Sequence, residues 1–147
     1  MKTKAYLLSA SVVFVVAVTG SDLIARMTIA GESFTNAVAE HGRWASDVAL
    51  GMLLLFFPFI GTALICASTN KRANTRSAAA IFCVSMATLA YFYFGGFQVA
   101  QYALLERKWT ASALSVGLLP FFIGIPLLAV VAIAGLVAAK IDRRHTA

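Results

Sequence analysis

The chain has 147 residues, of which 61% are hydrophobic and 12% are charged, and its formal net charge is +6. Soluble domains carry about 25% charged residues, so a water-exposed globule of this composition would lack polar surface and is excluded. The solvent for most of the chain must therefore be lipid.

Four segments without Asp, Glu, Lys or Arg predict four transmembrane helices, because about 20 apolar residues cross a bilayer. These segments cover residues 5–21, 48–70, 77–105 and 109–139. We predict a single membrane domain, an all-α bundle of four transmembrane helices, with spans at about 5–27, 48–69, 77–104 and 110–139.

The first span has an alternative interpretation, because a basic start, an apolar run and a possible cleavage site at 18–20 also describe a signal peptide. The apolar run is long for the hydrophobic region of a signal peptide, so we interpret it as a span. It reaches spanning length only if the helix continues through Asp22 to about Ile24 or beyond.

Two charges, Asp22 and Arg26, lie at the end of this first span. Their spacing of four residues puts both side chains on one face of a helix, where they can form an ion pair. Counted from an entry near Ala5 at about 1.5 Å per residue, Asp22 lies roughly 25 Å along the span, close to the far boundary of a 30 Å hydrocarbon core. We predict a mutually neutralising pair at that boundary, available to a partner.

The segment at about 28–47 is the longest piece outside the predicted spans, and it contains a short helix. Ser33 is a suitable N-cap, and Gly42 is suited to the end of the helix. Phe34, Val38 and His41 follow at i, i+4 and i+7, which predicts an amphipathic helix on the membrane surface with these residues on its apolar face. A partner-recognition helix is the alternative.

The third span contains a dense aromatic run that surrounds the helix, so that some rings must face lipid and others the bundle. Gly95 and Gly96 permit close helix approach or a local bend. Pro58 in the second span and Pro120 and Pro126 in the fourth each remove a backbone donor and predict kinks that shape the bundle. The aromatic run comprises Tyr91, Phe92, Tyr93, Phe94, Phe97 and Tyr102.

The distribution of Lys and Arg predicts the orientation. An excess of these residues marks the cytoplasmic side, which places both termini and the 68–77 loop inside and the 28–47 loop outside. The protein is then an integral membrane protein, of a bacterial inner membrane by our interpretation. The cations on the inner side are Lys2, Lys4, Lys71, Arg72, Arg76, Lys140, Arg143 and Arg144, and those on the outer side are Arg26, Arg43, Arg107 and Lys108.

Nucleic-acid binding is excluded as a function, because these cations are divided among two tails and a short loop without an aromatic platform. Cys66 and Cys83 lie near the inner side and should remain thiols. His41 and His145 fall on opposite sides, so we expect no shared metal or haem and no cofactor. We find no catalytic motif and expect a protein that is not an enzyme.

Polar residues at the outer ends of several spans predict a polar rim. Arg43 and Asp47 form a further i, i+4 pair at the start of the second span, and Gln98 and Gln101 share one face of the third. If the helices bundle in sequence order, these groups converge with the first pair. Either they only solvate the helix ends, or they bind a peptide, a lipid head group or a small solute. The candidate binding residues are Asp22, Arg26, Arg43, Asp47, Gln98 and Gln101.

Three functions fit these features. The first is a small membrane interaction protein, an accessory subunit or a protector against a toxin, that uses the polar rim to bind another membrane protein, with membrane lipid around it. The second is a channel or small-solute carrier that acts as a homo-oligomer, because four short helices enclose little volume. The third is a lipid-modifying enzyme with a site assembled from several spans.

Overall fold

The structure, a computed structural model, describes the backbone of residues 2–145 and the side chains of residues 2–142. This part of the chain is helical throughout, with short connections. Four of its segments are long and apolar enough to cross a membrane, namely α1, α3, α4 and the stretch Trp109–Asp142, which indicates a membrane protein. The helices are α1 (Thr3–Thr28), α2 (Phe34–Asp47), α3 (Ala49–Thr69), α4 (Thr75–Leu105), α5 (Trp109–Gly117) and α6 (Ile125–His145), with a π-helical turn at Pro120–Gly124 between α5 and α6.

The packing order differs from the order in sequence. α1 packs against both α3 and α4, while α5 packs against α4, and α6 packs mainly against α3. Aromatic side chains form the contacts of α1: Tyr6 meets Phe82 edge to face at 5.1 Å, and Phe14 meets Phe59 at 5.4 Å. We call the end of the bundle that carries α2 the α2 end and the opposite end, where α1 begins, the terminal end.

Glycines allow the closest helix contacts, because in lipid the approach of backbones replaces the hydrophobic effect as a source of helix association. A β-carbon at Gly96 would lie 2.7 Å from Leu119 Cδ1, whereas one at Gly95 would meet nothing within 4 Å. Of the two glycines predicted to serve close approach, only Gly96 does so. In the same helix Tyr93 and Phe97 are buried and Tyr91 is exposed, which confirms the predicted division of the aromatic run.

The fourth span is not one regular α-helix. Pro120 has no N–H, so the α-helical bond that residue 120 would donate cannot form. α5 ends at Gly117, and in the π-helical turn the N–H of Ile125 donates to the carbonyl of Pro120, five residues earlier. The distortion that the prolines predict in the span at 110–139 is thus present in its first half, as a π-helical turn. Pro58 lies inside α3, where its ring packs so closely on Gly124 that a β-carbon there would collide with it.

At the terminal end, Asp142 of α6 joins the fourth span to the start of α4. Its Oδ2 accepts hydrogen bonds from the backbone N–H of Asn74 at 2.6 Å and from Ser77 Oγ at 3.2 Å. Asn74 is itself the N-cap of α4, and its side chain accepts from the N–H of Arg76. The carboxylate therefore stabilises the first turn of α4.

Asp142→Ala is expected to lower the free energy of unfolding by about 1 kcal/mol, the usual cost of losing a capping interaction. Unfolding in bicelles by increasing amounts of a denaturing detergent would measure it. Asp47→Ala is the matched control, because Asp47 is exposed at the end of α2. An equal loss in both variants would contradict a specific role for Asp142.

Candidate functional site

The last two turns of α1 carry the ion pair predicted from sequence. Arg26 Nε donates to Asp22 Oδ2 at 2.8 Å, and Arg26 Nη1 lies 3.6 Å from Glu32 Oε1. Asp22 is only 6% exposed, so its charge is largely removed from water. Such a carboxylate remains stable in a bundle only when partners compensate its desolvation.

A third partner comes from α2. The chain turns at Gly31, whose φ of +69° favours glycine, and Ser33 begins α2 by accepting a hydrogen bond from the N–H of Asn36. α2 then packs against the end of α1 and places His41 Nδ1 2.9 Å from Asp22 Oδ2. Because an ionised carboxylate can only accept, Nδ1 must carry the proton in this bond.

We call Asp22, Arg26, Glu32 and His41 the charged network. With His41 neutral its formal charge is −1, and with His41 protonated it is zero. The network joins α1, the following loop and α2, whose residues are up to 19 positions apart in sequence. It therefore fixes the position of α2 relative to the spans.

The side of α2 that faces the bundle carries Ala37, His41 and Trp44. Ala37 is fully buried, and His41 and Trp44 follow it at i+4 and i+7, with Trp44 packed edge to face on Phe97 of α4 at 5.7 Å. Phe34 is 62% exposed and does not pack against the bundle. His41, predicted on the apolar face with Phe34, contacts Asp22 instead.

The predicted end of this helix at Gly42 is wrong. α2 continues to Asp47, since the main chain at Gly42 stays helical and Ser46 Oγ donates to the Gly42 carbonyl at 2.9 Å.

A cleft with a volume of about 260 Å³ adjoins the network. α3 and α5 both line it, and α4 packs against each of them. Asp22, Arg26, Gln101 and Ser112 are the polar residues of its lining, which is otherwise apolar. The apolar part of the lining includes Trp44, Leu54, Leu55, Ala113, Val116, Gly117 and Pro120.

The remaining predicted site residues do not join this cluster. Arg43 and Asp47 belong to α2 rather than to the start of the second span, and both are exposed. Arg43 Nη1 pairs with Glu40 Oε1 at 2.9 Å, which replaces the predicted pair with Asp47. Residue 48 interrupts the helix, so α2 and α3 are separate elements, and this is why Arg43 and Asp47 do not belong to the second span.

Gln98 and Gln101 are also separated. Gln101 lines the cleft, whereas Gln98 lines a wider groove of about 710 Å³ between α4 and the fourth span. That groove is bordered by exposed rings, Tyr91, Phe92 and Phe122, and no charged residue of the described chain lines it. The two glutamines are three positions apart on α4, and α5 packs against this helix.

Sequence reasoning missed the roles of Glu32, His41 and Trp44. The spacing of Ala37, His41 and Trp44 at i, i+4 and i+7 indicates a face that packs against the bundle. The set with Phe34 and Val38 is more apolar and indicates a different face. Within the described residues, no three His, Cys, Asp or Glu side chains are grouped in the manner of metal ligands.

The fold and the site together define a class of protein: a helical protein with four segments long and apolar enough to span a membrane, and with a partly buried charged network at one end of its bundle. Comparison with protein-family models, with curated proteins and with solved structures finds no match to this chain. The function must therefore be inferred from the site.

Proposed function

We propose that this chain is a small integral membrane interaction protein that binds another protein of the same membrane at the charged network. In this proposal both termini are cytoplasmic, because Lys2, Lys4 and Lys140 lie at the terminal end together with the basic 68–77 loop. The α2 end then faces outward, in a membrane of the bacterial inner type.

The observation that carries the proposal is the burial of Asp22 among Arg26, Glu32 and His41 beside the cleft that α3 and α5 line. Maintaining a carboxylate there costs desolvation free energy, and an apolar helix end would pack without that cost. Such groups are retained where they specify an interaction, since a desolvated ion network discriminates between partners more than it adds affinity.

A homo-oligomeric carrier is the second candidate from sequence, and it would require a polar site near the bilayer midplane. The hydroxyl of Ser85, at that depth, donates to the Ile81 carbonyl of its own helix at 2.7 Å. That bond satisfies the hydroxyl within its own helix, so the hydroxyl has less hydrogen-bonding capacity left for a solute. The local bond of Ser85 supports the interaction function over transport.

Native mass spectrometry of the protein, extracted gently from its own membrane, tests this function. We expect a defined heteromeric mass that is lost in Arg26→Gln and retained in Arg43→Gln. Both changes remove one arginine, but only Arg26 belongs to the charged network, while Arg43 pairs with Glu40 at the surface. His41→Gln is a second network variant in case Arg26→Gln folds poorly.

A symmetric homo-oligomer without any other protein would contradict the proposal and favour the carrier. Equal loss of the heteromeric mass in Arg26→Gln and Arg43→Gln, at equal amounts of folded protein, would also exclude the charged network as the binding surface.

A further inference from the structure

We infer that the cleft between α3 and α5 is a lipid site, which holds one acyl chain of a zwitterionic glycerophospholipid with its head group at the charged network. This inference rests on the membrane placement and outward orientation in the proposed function, and it does not require the proposed protein partner.

The cleft suits a narrow apolar occupant. Its volume is about 260 Å³ and most of its lining is apolar. An α-helix with its side chains is about 10 to 12 Å across, whereas a single acyl chain is much narrower.

The length of the cleft matches one leaflet of the bilayer. Its lining on the fourth span runs from Ser112 to Pro120, which is about 12 Å at 1.5 Å per residue. One leaflet contributes about half of a 30 Å hydrocarbon core. A chain that enters from the outer leaflet would thus end near Pro120, where the helix is interrupted.

The cleft is open toward hydrocarbon rather than toward water. Leu54, Ala113 and Gly117 line it, are exposed, and lie within the segments long and apolar enough to span the membrane. Its inner lining is apolar and buried, with Leu55 3% and Val116 9% exposed. An open apolar cleft at this depth is reached by lipid chains before any other molecule.

The polar lining is complementary to a zwitterionic head group. Arg26 is a donor for a phosphate, and the carboxylate of Asp22 attracts the positive charge of an ammonium group, including the quaternary ammonium of phosphatidylcholine. Gln101 and Ser112, both buried, add an amide and a hydroxyl at the same end, near the close of α4 and the start of α5. A head group with one positive and one negative charge matches this pair better than an anionic head group, which Asp22 would repel.

Trp44 provides a direct reporter, because it lines the cleft and the chain contains only two tryptophans. The experiment uses the Trp109→Phe protein, purified and placed in phosphatidylcholine vesicles with bromine on the acyl chains. Bromine quenches indole fluorescence on contact, so we expect strong quenching of Trp44.

Gly117→Leu is the decisive variant. Gly117 lines the cleft, and a β-carbon there meets nothing within 4 Å, so the substitution adds atoms beside the cleft without a clash at the β-carbon. We expect loss of the quenching. Gly95→Leu is the matched control, since Gly95 is equally open but lines the other groove, and quenching should persist. Ala113→Leu repeats the test at a second position of the cleft if Gly117→Leu does not fold.

Equal quenching in all three proteins would overturn the inference, because Trp44 would then sense only bulk lipid. Absence of quenching before the cleft is filled would overturn it as well. Neither result affects the proposed protein partner, which is measured as a heteromeric mass from the native membrane and not in purified vesicles.

Discussion

Asp22→Ala is expected to lower the free energy of unfolding by about 3 kcal/mol, since removing one member of a buried ion network leaves its partners uncompensated. Arg26 and His41 both use Asp22 Oδ2, at 2.8 and 2.9 Å, and their side chains are only 14% and 12% exposed. Without the carboxylate, Arg26 retains only the longer contact with Glu32. We expect the packing of α2 against α1 to become less tight at the same time.

Reversible unfolding in bicelles, followed by far-UV circular dichroism, would measure this change. Glu40→Ala is the matched control, because it also removes a carboxylate that pairs with an arginine, but at the surface. Exposed pairs contribute about 0.2 to 1 kcal/mol, so the control should lose little. If the two variants were equally stable, the buried ion network of Asp22 would contribute no more to the free energy of unfolding than the surface pair of Glu40.

Gly124→Ala is expected to destabilise the protein by about 1 to 3 kcal/mol, the range observed for overpacked interiors. A β-carbon at Gly124 would collide with the ring of Pro58, which is rigid and is held inside α3. The gain in helix propensity from glycine to alanine, about 1 kcal/mol, acts in the opposite direction and is smaller than the strain expected. We expect α3 and the π-helical turn to move apart at this contact.

Gly95→Ala isolates the propensity effect, because its β-carbon would meet nothing within 4 Å. We expect this variant to be as stable as the parent or slightly more stable. Thermal unfolding of the two variants in the same detergent would compare their stabilities directly. A Gly124→Ala protein that is more stable than Gly95→Ala would show that α3 and the π-helical turn can move apart without cost.

Much of the architecture follows from local patterns. The uncharged segments locate the four helices that can span a membrane to within a few residues, because in lipid each span must satisfy its backbone hydrogen bonds internally and must be apolar. The pairing of Asp22 with Arg26 follows from a spacing of four residues on a helix. Both are properties of neighbouring residues and need no knowledge of packing.

The break in the fourth span is an intermediate case. The prolines predict a distortion, but not its form as a π-helical turn at Pro120–Gly124 or the contact of Gly124 with Pro58 of another helix. Similarly, Gly95 and Gly96 are equivalent in the sequence, and only the approach of Leu119 distinguishes them.

The sequence by itself determined the class of protein, the helices and the ion pair within α1. Only the tertiary structure decided that His41 completes the network, that Arg43 and Asp47 stay outside it, and that Gln98 and Gln101 line different cavities. The physical reason is that helix periodicity specifies which residues share a face, while the neighbour of that face depends on how the helices pack.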